Sequence, residues 1–213
     1  MRIILALTAL CVVMLGCGTS EQAHPSLDPN SAIVDPSKIH PVTRDMELKA
    51  GEQEGKPLPD FELPTTTGLT TTVKKLADGK PALLYFIQKR CPCCVEAEPF
   101  FTQLSAAFKG NVVCVGIING SRAEAQEWAK VNTFDWPIFC DELGANIKKL
   151  GVPTGVYSMV INSSGTVSRV FPGYSADSLK EMVDVLSREA KVEPPVVEFK
   201  SAPKKLTTGC TFD

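Results

Sequence analysis

The chain has little histidine, no apolar run long enough to cross a bilayer and no clustered positive charge. His24 and His40 are the two histidines among 213 residues, and both precede the apolar-rich part of the sequence. A closed zinc site needs four ligands, and haem attachment needs a histidine directly after Cys94, where Val95 stands; neither is supported. Twenty-two basic against 24 acidic residues leave a formal charge of -2, which gives no reason to expect nucleic acid as a partner. The apolar run Ile3 to Leu15 is too short to span a membrane comfortably. There is no internal repeat.

What is present begins with that run. Met1-Arg2 supplies a basic start, Ile3 to Leu15 an apolar middle and Gly16-Cys17-Gly18 a small-residue end, the pattern of a secretory signal. The protein is therefore expected outside the cytoplasm. Met14-Leu15-Gly16-Cys17 resembles the bacterial lipobox, in which a signal peptidase cuts before a cysteine that is then lipidated. Met14 departs from the usual Leu. By this resemblance residues 1–17 are a lipoprotein-type signal, Cys17 carries lipid, and the membrane is a partner through that anchor. The alternatives are an ordinary cleaved signal that releases a soluble protein and, less in keeping with so short a run, an uncleaved anchor.

Residues 18–56 are polar, with Pro25, Pro29, Pro36 and Pro41, and are expected to form a flexible linker reaching roughly 30 to 40 Å from a membrane anchor. Residues 192–213 form a second proline- and lysine-bearing tail. Between them, 57–191 alternate strand and helix patterns. Asp60–Leu63 and Thr70–Val73 read as a hairpin about Gly68, and Ala82–Ile87 and Val112–Ile118 as buried strands. Ser121 and Glu124 make a capping box for a helix over Arg122–Val131. A strand near Pro137–Cys140, a short helix over 142–150 and strands at Tyr157–Ile161 and Thr166–Phe171 follow. A helix from about Asp177 has Leu179, Met182, Val183 and Leu186 on one face. The fold class is α/β, a sheet covered by helices.

Eight cysteines occur. Cys11 lies in the signal and Cys17 is the candidate lipid site; Cys91, Cys93, Cys94, Cys114, Cys140 and Cys210 remain. Their irregular spacing is not that of a disulfide-stapled miniprotein. Cys91-Pro92-Cys93-Cys94 places a Cys-x-x-Cys pair where a buried strand passes into a helix. Free backbone N–H groups and the helix dipole at such a junction favour a thiolate. Cys91 is the expected nucleophile, the more exposed and more acidic thiol. Residues three apart share a helix face, so Cys94 rather than Cys93 is expected to pair with it. Lys89 and Arg90 add positive charge. Cys114 and Cys140, in apolar strands, are expected as small core residues.

The motif resembles thioredoxin-like proteins further. Phe86 stands five residues before Cys91 and Pro99 eight after it, matching the aromatic of the thioredoxin strand and the proline of its active-site helix. Gly151-Val152-Pro153-Thr154 resembles that family's second signature, a loop with a cis proline packed on the cysteine pair. The resemblance implies a substrate site at Val152 and Pro153. Leu58–Leu63, Trp136–Asp141 and Val160–Gly165 resemble the redoxin superfamily, which holds peroxiredoxins and membrane-tethered thiol-disulfide oxidoreductases of cytochrome maturation. It implies a thioredoxin-like fold with a mixed central sheet flanked by helices and an N-terminal β-hairpin. It also implies a redox-active disulfide Cys91/Cys94, protein thiols and disulfides as partners, and no cofactor. Arg90 replaces the usual Trp before the first cysteine, and Tyr85 replaces the buried acid of thioredoxin. Electron direction and partner identity do not carry over.

Two alternatives keep the fold. A peroxidase would carry Pro-x-x-x-Thr-x-x-Cys, but Gln88 or Cys91 occupies the Thr place, and no arginine follows the Pro153 loop in Gly155–Met159. A Cu(I)-binding metallochaperone could use the three clustered thiols, without the later histidine that such proteins pair with them. Cys93 and Cys210 are accessory thiols. Cys93 is either a small residue tuning the pair or has a role of its own. Cys210 is either inert on an unstructured end, or the tail folds back and Cys210 exchanges with the cluster as an internal relay. About twenty residues span on the order of 25 Å, enough for that return.

Overall fold

The computed structural model describes residues 40–134 and 136–212; the signal segment and Cys17 lie outside them. In chain order the elements are β1 (His40–Pro41), α1 (Arg44–Gly51), β2 (Leu63–Pro64), β3 (Thr70–Thr71), α2 (Val73–Ala77), β4 (Ala82–Ile87), α3 (Pro92–Ala107), β5 (Val113–Ile118), α4 (Arg122–Val131), β6 (Ile138–Cys140), α5 (Ala145–Lys149), β7 (Tyr157–Ile161), β8 (Val167–Phe171), α6 (Ala176–Ala190) and β9 (Thr207–Thr208).

Five strands form the central sheet in the order β6-β5-β4-β7-β8. β4 runs parallel to β5 and antiparallel to β7, so the sheet is mixed and β4 is central. β4 is an unbroken apolar run, as a strand covered on both faces must be. Its alternation sorts the core: Leu83, Tyr85 and Ile87 face one helical layer, whereas Leu84 and Phe86 face the other. The cysteines of the described residues lie on the first of these faces. β2 and β3 form the expected N-terminal hairpin, pairing Leu63 with Thr71. The capping box of α4 forms as its sequence requires, with Ser121 accepting from Glu124 N and Glu124 accepting from Ser121 N.

The two segments expected to be tails are ordered where described. Residues 40–56 are not linker. Thr43 caps α1 by accepting from Met46 N, Asp45 and Glu47 sit in its first turn and Lys49 in its last, the charge order that suits the helix dipole. Ala50 is buried, and Glu54 accepts from Arg169 Nη1 at 2.8 Å and Val170 N at 3.1 Å. Prolines before and beside this helix conceal it, since polar composition does not register a helix held by its caps and one small buried residue.

The C-terminal segment is also built in. Phe199 is buried against Phe100, with ring centroids 6.3 Å apart. Thr207 exchanges backbone hydrogen bonds with Tyr174, at 2.8 and 3.0 Å. β9 pairs with β1, joining Thr208 to His40 and Thr207 to Pro41. The two supposed tails therefore close on each other.

Candidate active site

β4 ends at Ile87, and the chain turns through Gln88 to Arg90 before α3. Cys91 N donates to Gln88 O at 3.0 Å. Cys91 is the N-cap of α3, with extended backbone angles (φ −86°, ψ 112°), and Pro92 occupies the first helical turn, where its missing N–H costs nothing. An N-cap side chain leans over the second and third helical residues, which here are Cys93 and Cys94. This changes the expected geometry: Cys91 is not inside the helix, so the rule for residues two and three apart does not separate them. The thiols of both Cys93 and Cys94 hydrogen-bond to the Cys91 sulfur.

The site is enclosed. Cys91 is 2% exposed, Cys93 3% and Cys94 0%, so Cys91 does not stand out by exposure. Its acidity does differ. The Cys93 and Cys94 thiols, then the backbone N–H and thiol of Cys210, hold Cys91 well below the usual thiol range, against the opposing effect of burial. Cys210 N lies 3.0 Å from Cys91 Sγ. Cys93 is pushed up first by its hydrogen bond to Cys91 and then by burial. Cys94 is pushed up first by burial and then by its bond to Cys91. The arrangement favours the charged form at Cys91 and the neutral form at Cys93 and Cys94. Lys89 is committed elsewhere, with its Nζ 2.7 Å from Glu124, and Arg90 is exposed.

Tyr85, in place of a buried acid, is fully buried and stacks on Phe101 with centroids 4.1 Å apart. Its hydroxyl donates to Cys94 O at 2.8 Å, tying β4 to the first turn of α3. Burial raises its pKa well above the ordinary range, with the sulfurs of Cys94 and Cys91 adding to the effect. It remains a neutral donor and cannot replace a carboxylate as proton acceptor. The sequence shows the substitution but not this bond.

The loop after α5 closes the other side. No peptide bond among the described residues is cis, so Val152–Pro153 is trans, contrary to the expectation from the thioredoxin signature. Val152 is buried in the opposite core layer and its N–H is taken by Ile147 O at 3.2 Å. The loop meets the cysteines through Gly155 instead: a Cβ there would stand 2.6 Å from Cys94 Sγ, a contact only glycine permits. The next residue, Val156, is fully buried at φ 58°, a left-handed conformation that costs a β-branched residue roughly 1 to 3 kcal/mol. Its N–H donates to Phe86 O at 2.9 Å, which holds the loop against β4. Neither Gly155 nor Val156 carries a sequence signal, because both depend on a long-range approach.

The free edge of this loop is occupied by the chain's own end. Gly209 N donates to Gly155 O at 2.9 Å, Gly155 N to Cys210 O at 2.8 Å and Phe212 N to Pro153 O at 3.1 Å. Thr154 and Thr208 hydroxyls meet at 2.7 Å. Cys210 is thereby placed on Cys91, while Cys114 and Cys140 are buried in the sheet as expected.

A thioredoxin-like sheet with a thiol cluster at the N-terminus of the helix following its central strand defines an enzyme of the thiol-disulfide oxidoreductase and redoxin class. Residues 55–170 match the AhpC/TSA family, and the chain belongs to that family. It is 29% identical over 131 residues to the thioredoxin-like protein YneN of Bacillus subtilis, covering 59% of this chain and 75% of that one. It is 26% identical over 141 residues to a putative peroxiredoxin of Mycobacterium tuberculosis, covering 65% and 88%. Among solved structures, a secreted M. tuberculosis disulfide oxidoreductase homologous to E. coli DsbE matches with a TM-score of 0.52 and 25% identity, over 60% of this chain and 95% of that one.

Proposed function

We propose that this protein is an extracytoplasmic oxidoreductase that exchanges disulfides with protein partners through Cys91 and Cys94. The observation that carries the reading is the asymmetry at the helix start: Cys91 Sγ collects hydrogen bonds from thiols and an amide, whereas Cys94 is completely buried behind it and held neutral. The Cys91 thiolate attacks one sulfur of a partner disulfide, forming a mixed disulfide and releasing the partner's other sulfur as a thiolate. Cys94, losing its proton to that leaving group or to solvent, attacks Cys91 Sγ; the Cys91–Cys94 disulfide forms and the partner leaves reduced. The reverse sequence oxidises a partner dithiol. The extracytoplasmic location is supported by the signal pattern of residues 1–17 and by the secreted relative. Lipid attachment at Cys17 is part of the proposal and lies outside the described residues. No helix among the described residues is long and apolar enough to cross a membrane.

The test is turnover of insulin disulfides by the purified chain with a dithiol reductant. Wild type is expected to reduce insulin and Cys91→Ser to fall to background. Rapid consumption of hydrogen peroxide without insulin reduction would assign a peroxidase instead, and tight stoichiometric Cu(I) binding without either would assign metal delivery.

A further inference from the structure

The cysteine that the exchange reading does not use is also the outermost sulfur of the site. Cys210 is partly exposed, whereas Cys91, Cys93 and Cys94 are almost wholly hidden. It is held there by a strand-like docking. Residues 208–212 add to the Pro153–Gly155 edge through the hydrogen bonds above, with an antiparallel bridge between Thr154 and Thr211. Gly209 makes the approach possible: a Cβ at that position would lie 2.7 Å from the Gly155 carbonyl and 3.0 Å from Cys91 Sγ. Strand addition to an exposed edge is a general way to bind an extended peptide. Here the added peptide is tethered, carries a cysteine and brings it against the reactive sulfur.

We infer that residues 207–212 are a built-in substrate strand and that Cys210 is a third redox cysteine, the intramolecular exchange partner of Cys91. This rests on Cys91 being the exchanging thiol. The step is a disulfide exchange without net oxidation: the Cys210 thiolate attacks Cys91 Sγ of the Cys91–Cys94 disulfide, the Cys91–Cys210 bond forms and Cys94 leaves as a thiolate that takes up the proton lost by Cys210. The disulfide then spans from the enclosed cluster to a partly exposed sulfur, which a partner thiolate can attack at Cys210. That attack leaves a partner–Cys210 mixed disulfide and frees Cys91 as a thiolate. The partner's second thiolate then attacks its own bonded sulfur and releases Cys210, and Cys91 and Cys94, now both reduced, are reoxidised by the disulfide of another partner before the next round. A consequence separates this scheme from ordinary Cys-x-x-Cys exchange: with Cys93 and Cys94 both replaced by Ser, Cys91 still has a resolving partner, so mixed disulfides with other proteins accumulate only when Cys210 is removed as well.

Trypsin makes the test direct, because cleavage after Arg90, Lys109 and Lys205 puts Cys91, Cys93 and Cys94 in peptide 91–109 and Cys210 in peptide 206–213. Full-length Cys94→Ser is oxidised with oxidised glutathione, quenched in acid, alkylated and digested. The expected product is peptide 91–109 joined to 206–213, with fragmentation placing the bond on Cys91. Wild type held at intermediate glutathione potentials should show the same joined pair as a minority species. Cys91 recovered as a glutathione adduct with Cys210 alkylated, and no joined peptides in wild type, would overturn the inference. Cys93→Ser/Cys94→Ser/Cys210→Ser separates the two claims. Mixed disulfides of its Cys91 with insulin sustain the exchange reading even if the strand is inert, whereas an unreactive Cys91 there removes both.

Discussion

Cys91 and Cys140 are hidden to nearly the same degree, 2% and 5% exposed, yet their surroundings drive them in opposite directions. Cys140 ends β6 with its sulfur 4.0 Å from the Ile138 carbonyl, and burial raises its pKa. Cys91 stands at a helix start among thiol and amide donors and is lowered. Burial alone therefore does not set the acidity of a thiol; the donors aimed at its sulfur do.

The largest effect that can break this comparison is on exchange. Cys91→Ser should reduce insulin turnover to background. Cys140→Ser should keep turnover near wild type and instead lose about 1 to 3 kcal/mol of stability for burying a hydroxyl, read from the urea midpoint. Comparable turnover in the two variants would show that the donors around Cys91 have no catalytic consequence.

The next effect is on charge. Thiolate absorbance near 240 nm at pH 7 should be present in the reduced wild type, lost in Cys91→Ser and retained in Cys140→Ser. Because the folded pKa of Cys91 lies below that of the unfolded thiol, its contribution to stability is fully present above about pH 8.5. It declines as pH falls toward the folded value. Wild type should therefore lose more of its urea midpoint between pH 8 and pH 5 than Cys91→Ser does. Equal losses would place the Cys91 pKa at its ordinary value.

Smaller effects test the supports. Gly155→Ala pushes a methyl into Cys94 Sγ and should cost about 1 to 3 kcal/mol, the usual price of overpacking, together with slower exchange. Tyr85→Phe leaves Cys94 O without its donor and should cost about 1 to 2 kcal/mol while the thiolate absorbance at pH 7 persists. Loss of that absorbance would assign Tyr85 a direct part in Cys91 acidity.

The elements that set the site in place are legible in the sequence because they are local. Ala82–Ile87, Arg122–Val131 and Tyr157–Ile161 fall where apolar runs and a capping box put them, and the strand-to-helix junction puts Cys91 at the start of α3. The trans Val152–Pro153 bond, the Gly155 approach and the returning C-terminal strand are products of long-range packing. Composition presents residues 192–213 as a loose end. What docks them is Phe199 on Phe100 and the Thr207 pairing with Tyr174, contacts between residues far apart in the chain. Cys93 lies beside Cys91 for a simpler reason: periodicity within a helix does not apply to a side chain at its N-cap.

The most direct measurement of the central claim is a redox titration of full-length Cys210→Ser, which leaves the cluster without the strand's thiol. The protein is equilibrated across glutathione potentials, acid-quenched, alkylated and mapped by fragmentation of peptide 91–109. Cys91 and Cys94 should lose alkylation together in a single two-electron transition, while Cys114 and Cys140 remain alkylated at every potential. A transition that joins Cys91 to Cys93, or Cys91 and Cys94 alkylated throughout, would contradict the account.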